Sequence, residues 1–105
     1  MRRSRPMRAA AVQIASAART AVKSQVPECQ AREVSLALER AGAPEIAVHM
    51  SHEELCISTY STDGFARAKI ILGRIPGIKR FYEDTYVDHE FEDEIYCEAR
   101  YRLAA

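Results

Sequence analysis

Residues Ile78–Leu103 read IKRFYEDTYVDHEFEDEIYCEARYRL. Polar and apolar side chains alternate along most of this stretch with a period of two, so it reads as two long strands. On the second strand, Ile95, Cys97, Ala99, Tyr101 and Leu103 make an apolar face, and Glu94, Tyr96, Glu98, Arg100 and Arg102 make the opposite one. On the first strand, Tyr82 and Tyr86 share a face, while Phe81, Thr85 and Val87 share the other. One apolar and one polar face predict a sheet covered on a single side. The open side is then left for solvent or a partner.

The middle of the stretch is acidic. Glu83, Asp84, Asp88, Glu90, Glu92, Asp93, Glu94 and Glu98 fall within sixteen residues that contain no Lys or Arg. An acidic run without large apolar residues would stay disordered. Here Tyr86, Val87, Phe91, Ile95 and Tyr96 run through it. The expectation is the folded tip of a β-hairpin with a concentrated negative field.

The segments before it set the rest of the fold. Phe65, Ala68, Ile71, Leu72 and Ile75 recur at helical spacing, with Arg67, Lys69 and Arg74 off the stripe. Ser61, Thr62 and Asp63 are N-cap candidates for this helix, and Ile75-Pro76-Gly77 is expected to end it. Upstream, Ile46, Val48 and Met50 alternate with Glu45, Ala47 and His49. Leu55, Ile57 and Thr59 then alternate with Cys56, Ser58 and Tyr60. Ser51-His52-Glu53 between the two runs makes a turn, so they form an antiparallel hairpin.

Two more helices are predicted at the start. Residues from Met7 to about Lys23 are rich in Ala, the strongest helix former, with Ile14, Ala18 and Ala21 on a shallow stripe. Pro27 to Arg40 carries Val34, Leu38 and Ala41 on one face, and Gly42 follows as a stop. Strand alternation of Val34, Leu36 and Leu38 competes with this reading, but the helix-forming ALER and the Gly favour helix. The order α-α-β-β-α-β-β predicts an α+β domain: a four-stranded antiparallel sheet with helices on one face. Residues 1–6 are expected to form a flexible basic tail, and 7–105 a single domain.

Composition excludes several function classes. The net charge is zero, but residues 1–24 hold six bases and no acid, so the chain is dipolar. No run approaches the ~18 apolar residues of a membrane helix. Three cysteines without CxxC spacing argue for a reducing, cytoplasmic setting over a disulfide framework. The start resembles a targeting segment, but Gln13 and Ser16 interrupt its apolar part, which favours a basic tail leading into a helix.

The search for chemistry leaves little. His49, His52, Cys56 and His89 are metal-ligand types, but turn histidines are ordinarily solvated, and no metal or other cofactor is expected. Cys29 lies near a helix N-terminus without a histidine to activate it, and Cys97 reads as a buried inert thiol. No nucleotide-binding, zinc-protease or hydrolase motif occurs, nor a calcium-loop spacing. The expectation is therefore a protein without catalytic activity.

Two binding functions remain. In the first, the acidic hairpin meets a basic groove on another protein, with Glu83, Asp84, Tyr86, Asp88, Glu90, Glu92, Asp93, Glu94, Tyr96 and Glu98 as contact residues. Tyrosine adds contact area there. Many basic grooves hold nucleic acid, so the hairpin would act as a phosphate mimic and inhibitor. Small phage or mobile-element proteins that block host nucleases offer an analogy of surface type only. In the alternative, Arg2–Arg8 and the first helix bind nucleic acid through phosphate contacts. That reading is disfavoured because the aromatics needed for base stacking do not lie near those arginines. A second copy of the chain is a further candidate partner, and a membrane is not.

Overall fold

The computed structural model describes residues 4–24 and 26–104. The expected tail is reached only in part: α1 spans Ser4–Lys23, and residues 1–3 lie outside the described segment. The helix α2 (Glu28–Arg40) follows, then strands β1 (Ala47–Met50) and β2 (Glu54–Thr59), helix α3 (Thr62–Leu72), and strands β3 (Ile78–Asp88) and β4 (Glu94–Leu103). The sheet is antiparallel throughout, in the order β1-β2-β4-β3. The three helices pack on one face, giving a slab 38 × 36 × 21 Å, two layers thick. The architecture is the expected α+β one.

Local chemistry accounts for most boundaries. Ser61 caps α3, its Oγ accepting a hydrogen bond from the Gly64 N–H at 3.0 Å. The helix ends at Leu72, short of the expected Ile75, and the chain continues in tight turns. Pro76 and Gly77 then reverse it into β3; Gly77 has φ of 85°, a left-handed conformation that favours Gly. Ser51 Oγ accepts from the Glu54 N–H at 3.1 Å and closes the β1–β2 turn. His52 Nδ1 lies 3.1 Å from the Ala21 carbonyl and ties that turn to α1.

The core lies between the helices and β1, β2 and the inner part of β4. Ile14, Val34, Leu38, Leu55, Ile57, Leu72 and Ala99 are fully buried. Phe65, Ala68, Ile71 and Leu72 of α3 are buried, as are Ile75 in the turns beyond it and Cys97 and Tyr101 on β4. The alanines of α1 do what a shallow stripe does: Ala10, Ala17, Ala18 and Ala21 let the neighbouring layer approach closely.

Two side-chain placements differ from expectation. Ile95 lies on the helix-side face but is 42% exposed. The β2–β4 ladder ends at Thr59↔Cys97, so the outer part of β4 has neither β2 beside it nor a helix above it. Phe81 was expected with Thr85 and Val87, yet its ring lies 4.4 Å from the Arg102 guanidinium, on the open face. A register shift between Arg80 and Tyr82 causes this, because the extra residue of a bulge turns Phe81 to the side that Tyr82 occupies.

Candidate functional site

Beyond the end of the β2 ladder, Thr85–Asp88 and Glu94–Tyr96 continue as a two-stranded arm closed by the loop His89–Asp93. Of the eleven β3 residues only Ile78 is buried. A lone hairpin is marginal in water, and aromatic contacts brace this one. Tyr60, just past β2, stacks on Phe91 at 4.5 Å between centroids and meets Tyr96 edge-on at 5.4 Å. Its hydroxyl donates to Asp88 Oδ2 at 2.7 Å. That hydrogen bond, with burial and the same negative charge, pushes the Tyr60 hydroxyl up to about 12. Tyr86 and Tyr96 face each other across the strands at 5.2 Å. Desolvation raises both of those phenols, and the surrounding carboxylates act in the same direction.

The predicted contact residues do not form one uniform surface. Asp84, Tyr86, Asp88, Glu94, Tyr96 and Glu98 share the open face, and Glu90, Glu92 and Asp93 sit in the tip loop. Glu83 points to the helix side, where Lys69 (2.9 Å) and Arg80 (3.2 Å) balance it. Glu98 accepts from Arg100 Nε at 2.8 Å and from the Tyr96 hydroxyl at 3.0 Å. The net negative field therefore belongs to the outer six carboxylates.

The register sets like charges opposite each other, with Asp84 against Glu98 and Asp88 against Glu94. Such cross-strand pairs are destabilising. Glu92 and Asp93 also hold left-handed backbones, with φ of 52° and 57°. Asp tolerates this better than Glu does. His89 Nδ1 reaches Asp93 Oδ1 at 2.8 Å and fastens the loop. The tip is thus an ordered acidic knob, with Val87, Phe91 and Ile95 each 42–50% exposed around it.

The other end of the same strands is basic. Lys79 lies opposite Arg102, Arg100 sits over the Tyr82 ring at 5.2 Å, and Arg102 sits over Phe81. Beside them is an open groove of about 730 Å³, lined by Ile78, Lys79, Arg80, Phe81, Arg102 and Leu103 among others, with no carboxylate in its walls. Glu54 neighbours Arg102 on the β2 side. The sequence reading missed this groove and the bracing role of Tyr60. The clue to the groove was the base-rich residues at the strand ends, which are distant in sequence and meet only through the β3–β4 pairing.

A second open pocket, of about 390 Å³, is lined by His49, Ser51, Glu54, Cys56 and Arg100. Among the described residues no three His, Cys, Asp or Glu side chains are grouped to hold a metal ion. His49 pairs with Glu28 at 3.1 Å, which links β1 to α2. Burial, ahead of the Glu98 charge, raises the Cys56 thiol and so disfavours the thiolate a nucleophile needs. No described helix is long and apolar enough to cross a membrane. No protein-family model matches the chain, nor does any curated protein or solved structure.

Proposed function

We propose that this chain is a small, non-catalytic, cytoplasmic binding protein whose acidic arm docks into a basic site on another protein. The observation that carries this reading is the arm itself: an ordered hairpin beyond the helical cover, with exposed apolar side chains at its tip beside a cluster of carboxylates that outnumbers the one histidine there. Apolar and tyrosine surface supplies contact area, and the carboxylates supply selection and speed of encounter. A chain folding for stability alone gains nothing from like charges placed opposite one another. Where the basic site normally holds phosphate, the arm inhibits by occupying it.

A tagged wild-type chain and a tip-neutralised form (Glu90→Gln, Glu92→Gln, Asp93→Asn, Glu94→Gln) test this in capture from a host lysate treated with nuclease. The expected result is one protein retained by the wild type and lost by the variant. Equal retention by both would refute the reading. Retention that disappears on nuclease treatment would favour the alternative, direct binding to nucleic acid.

A further inference from the structure

We propose that β3 is a homodimer edge, along which two copies pair antiparallel about a two-fold axis at Thr85. In this arrangement the acidic tip of each copy lies beside the cationic groove of the other. The inference rests on the arm being a contact surface and names a second copy of the chain as an occupant of it.

The first support is the unpartnered edge. β3 is the last strand of the sheet, and no described strand lies along its outer side. Natural edges of this length are usually blunted. Here a bulge between Arg80 and Tyr82 and the strand's charged side chains do so, but Tyr82–Asp88 keeps unbroken register with β4, and the Thr85 N–H donates to Asp84 Oδ1 at 2.9 Å, a contact that pairing would exchange for a ladder bond. This regular segment centres on Thr85, an exposed residue. Pairing about Thr85 sets Tyr82 against Asp88 of the second copy and Asp84 against Tyr86 of the second copy. No like charges then face each other, and Thr opposite Thr is a favourable cross-strand pair.

The second support is the charge gradient along the strand. β3 begins with Lys79 and Arg80 and ends with Asp88 before an acidic loop. At ~3.3 Å per residue Lys79 and Asp88 are about 30 Å apart. Two-fold antiparallel pairing is the arrangement that brings each end against its opposite, twice over. It also closes on itself, whereas head-to-tail stacking along the strand would leave an open array. Lys79 against Arg102 and Asp88 against Glu94 are like-charge pairs within one copy. Each gains opposite charges from the other copy. The groove offers apolar walls from Ile78 and Leu103 to the apolar part of the tip.

Sedimentation equilibrium of the full chain tests the proposal. A dimer is expected at low salt, with a dissociation constant that rises roughly tenfold or more between about 0.05 and about 0.5 M salt. Two charge reversals give the decisive arm. A tip-reversed form (Glu90→Lys, Glu92→Lys, Asp93→Lys) and a groove-reversed form (Lys79→Glu, Arg102→Glu) should each be monomeric, and an equimolar mixture should dimerise again. A wild type that stays monomeric up to about 0.1 mM at low salt, or a dimer indifferent to both reversals, overturns the proposal. A monomeric wild type that still captures a protein through its tip would remove the self-pairing and leave the proposed function standing. A charge-dependent dimer whose capture of other proteins survives tip neutralisation would do the reverse.

Discussion

Tyr101 is 2% exposed, and apart from the neighbouring Arg80 guanidinium, which lies outside good hydrogen-bond geometry, its hydroxyl meets no partner among the described residues. A buried, unsatisfied polar group costs about 1–3 kcal/mol. Tyr101→Phe keeps the ring and removes that cost, so a gain of about 1 kcal/mol is expected in a urea titration at neutral pH. Desolvation by burial is also the main reason the phenol is raised above its ordinary value of 10.0, with the nearby Arg80 opposing. A raised phenol keeps its proton in the folded chain while the unfolded chain loses it. Tyr101 therefore contributes no pH dependence below pH 10 and costs stability as pH rises above it. The wild type should lose stability in that alkaline range faster than Tyr101→Phe does; parallel curves would show that the phenol is solvated. At the tip, Glu92 with φ of 52° pays the steric cost of a left-handed residue. Glu92→Gly should raise the melting temperature slightly, by the equivalent of about 0.5–1 kcal/mol, since relief of that strain exceeds the extra chain entropy of Gly.

Elements differ in how far the sequence announces them. Stripes such as Phe65-Ala68-Ile71-Leu72-Ile75 are set by spacing alone, and all five residues are buried. The alternation of β4 was equally legible, yet it placed Ile95 in the core with Cys97. Alternation identifies a face but does not show where the covering layer ends, and that limit depends on β2 stopping at Thr59. The prediction that separates the two is direct. Leu72→Ala should cost ~2–5 kcal/mol in denaturant titration, as core truncations do, while Ile95→Ala should cost under ~1 kcal/mol. Comparable losses at both sites would mean that the arm is packed against something. Phe81 was misplaced for a related reason, because a bulge changes the parity of every residue before it and leaves no mark in composition. The acidic residues of the candidate site were legible as a cluster. Their opposition in pairs was not, because it depends on the loop length at His89–Asp93. Tyr60→Ala removes both the Phe91 stack and the Asp88 hydrogen bond. Amide exchange of Tyr86 and Tyr96, which face each other in the ladder, should then accelerate, with the core amides little changed; uniform acceleration would show that Tyr60 holds the whole fold.

At the scale of the molecule, a neutral chain is split into a basic end and an acidic arm. Charges of this kind contribute to encounter and selection more than to stability. The central claim, that the outer carboxylates form the contact surface, is tested most directly by association rates with the captured partner across a salt series. Wild type and the form neutralised at Glu90, Glu92, Asp93 and Glu94 should share a far-UV spectrum and melting temperature to within a few degrees. At low salt the wild type should associate faster by roughly tenfold or more, and the two rates should converge as salt shortens the ~10 Å screening length. Equal rates at every salt concentration would contradict the account and leave the acidic arm as a solvated face.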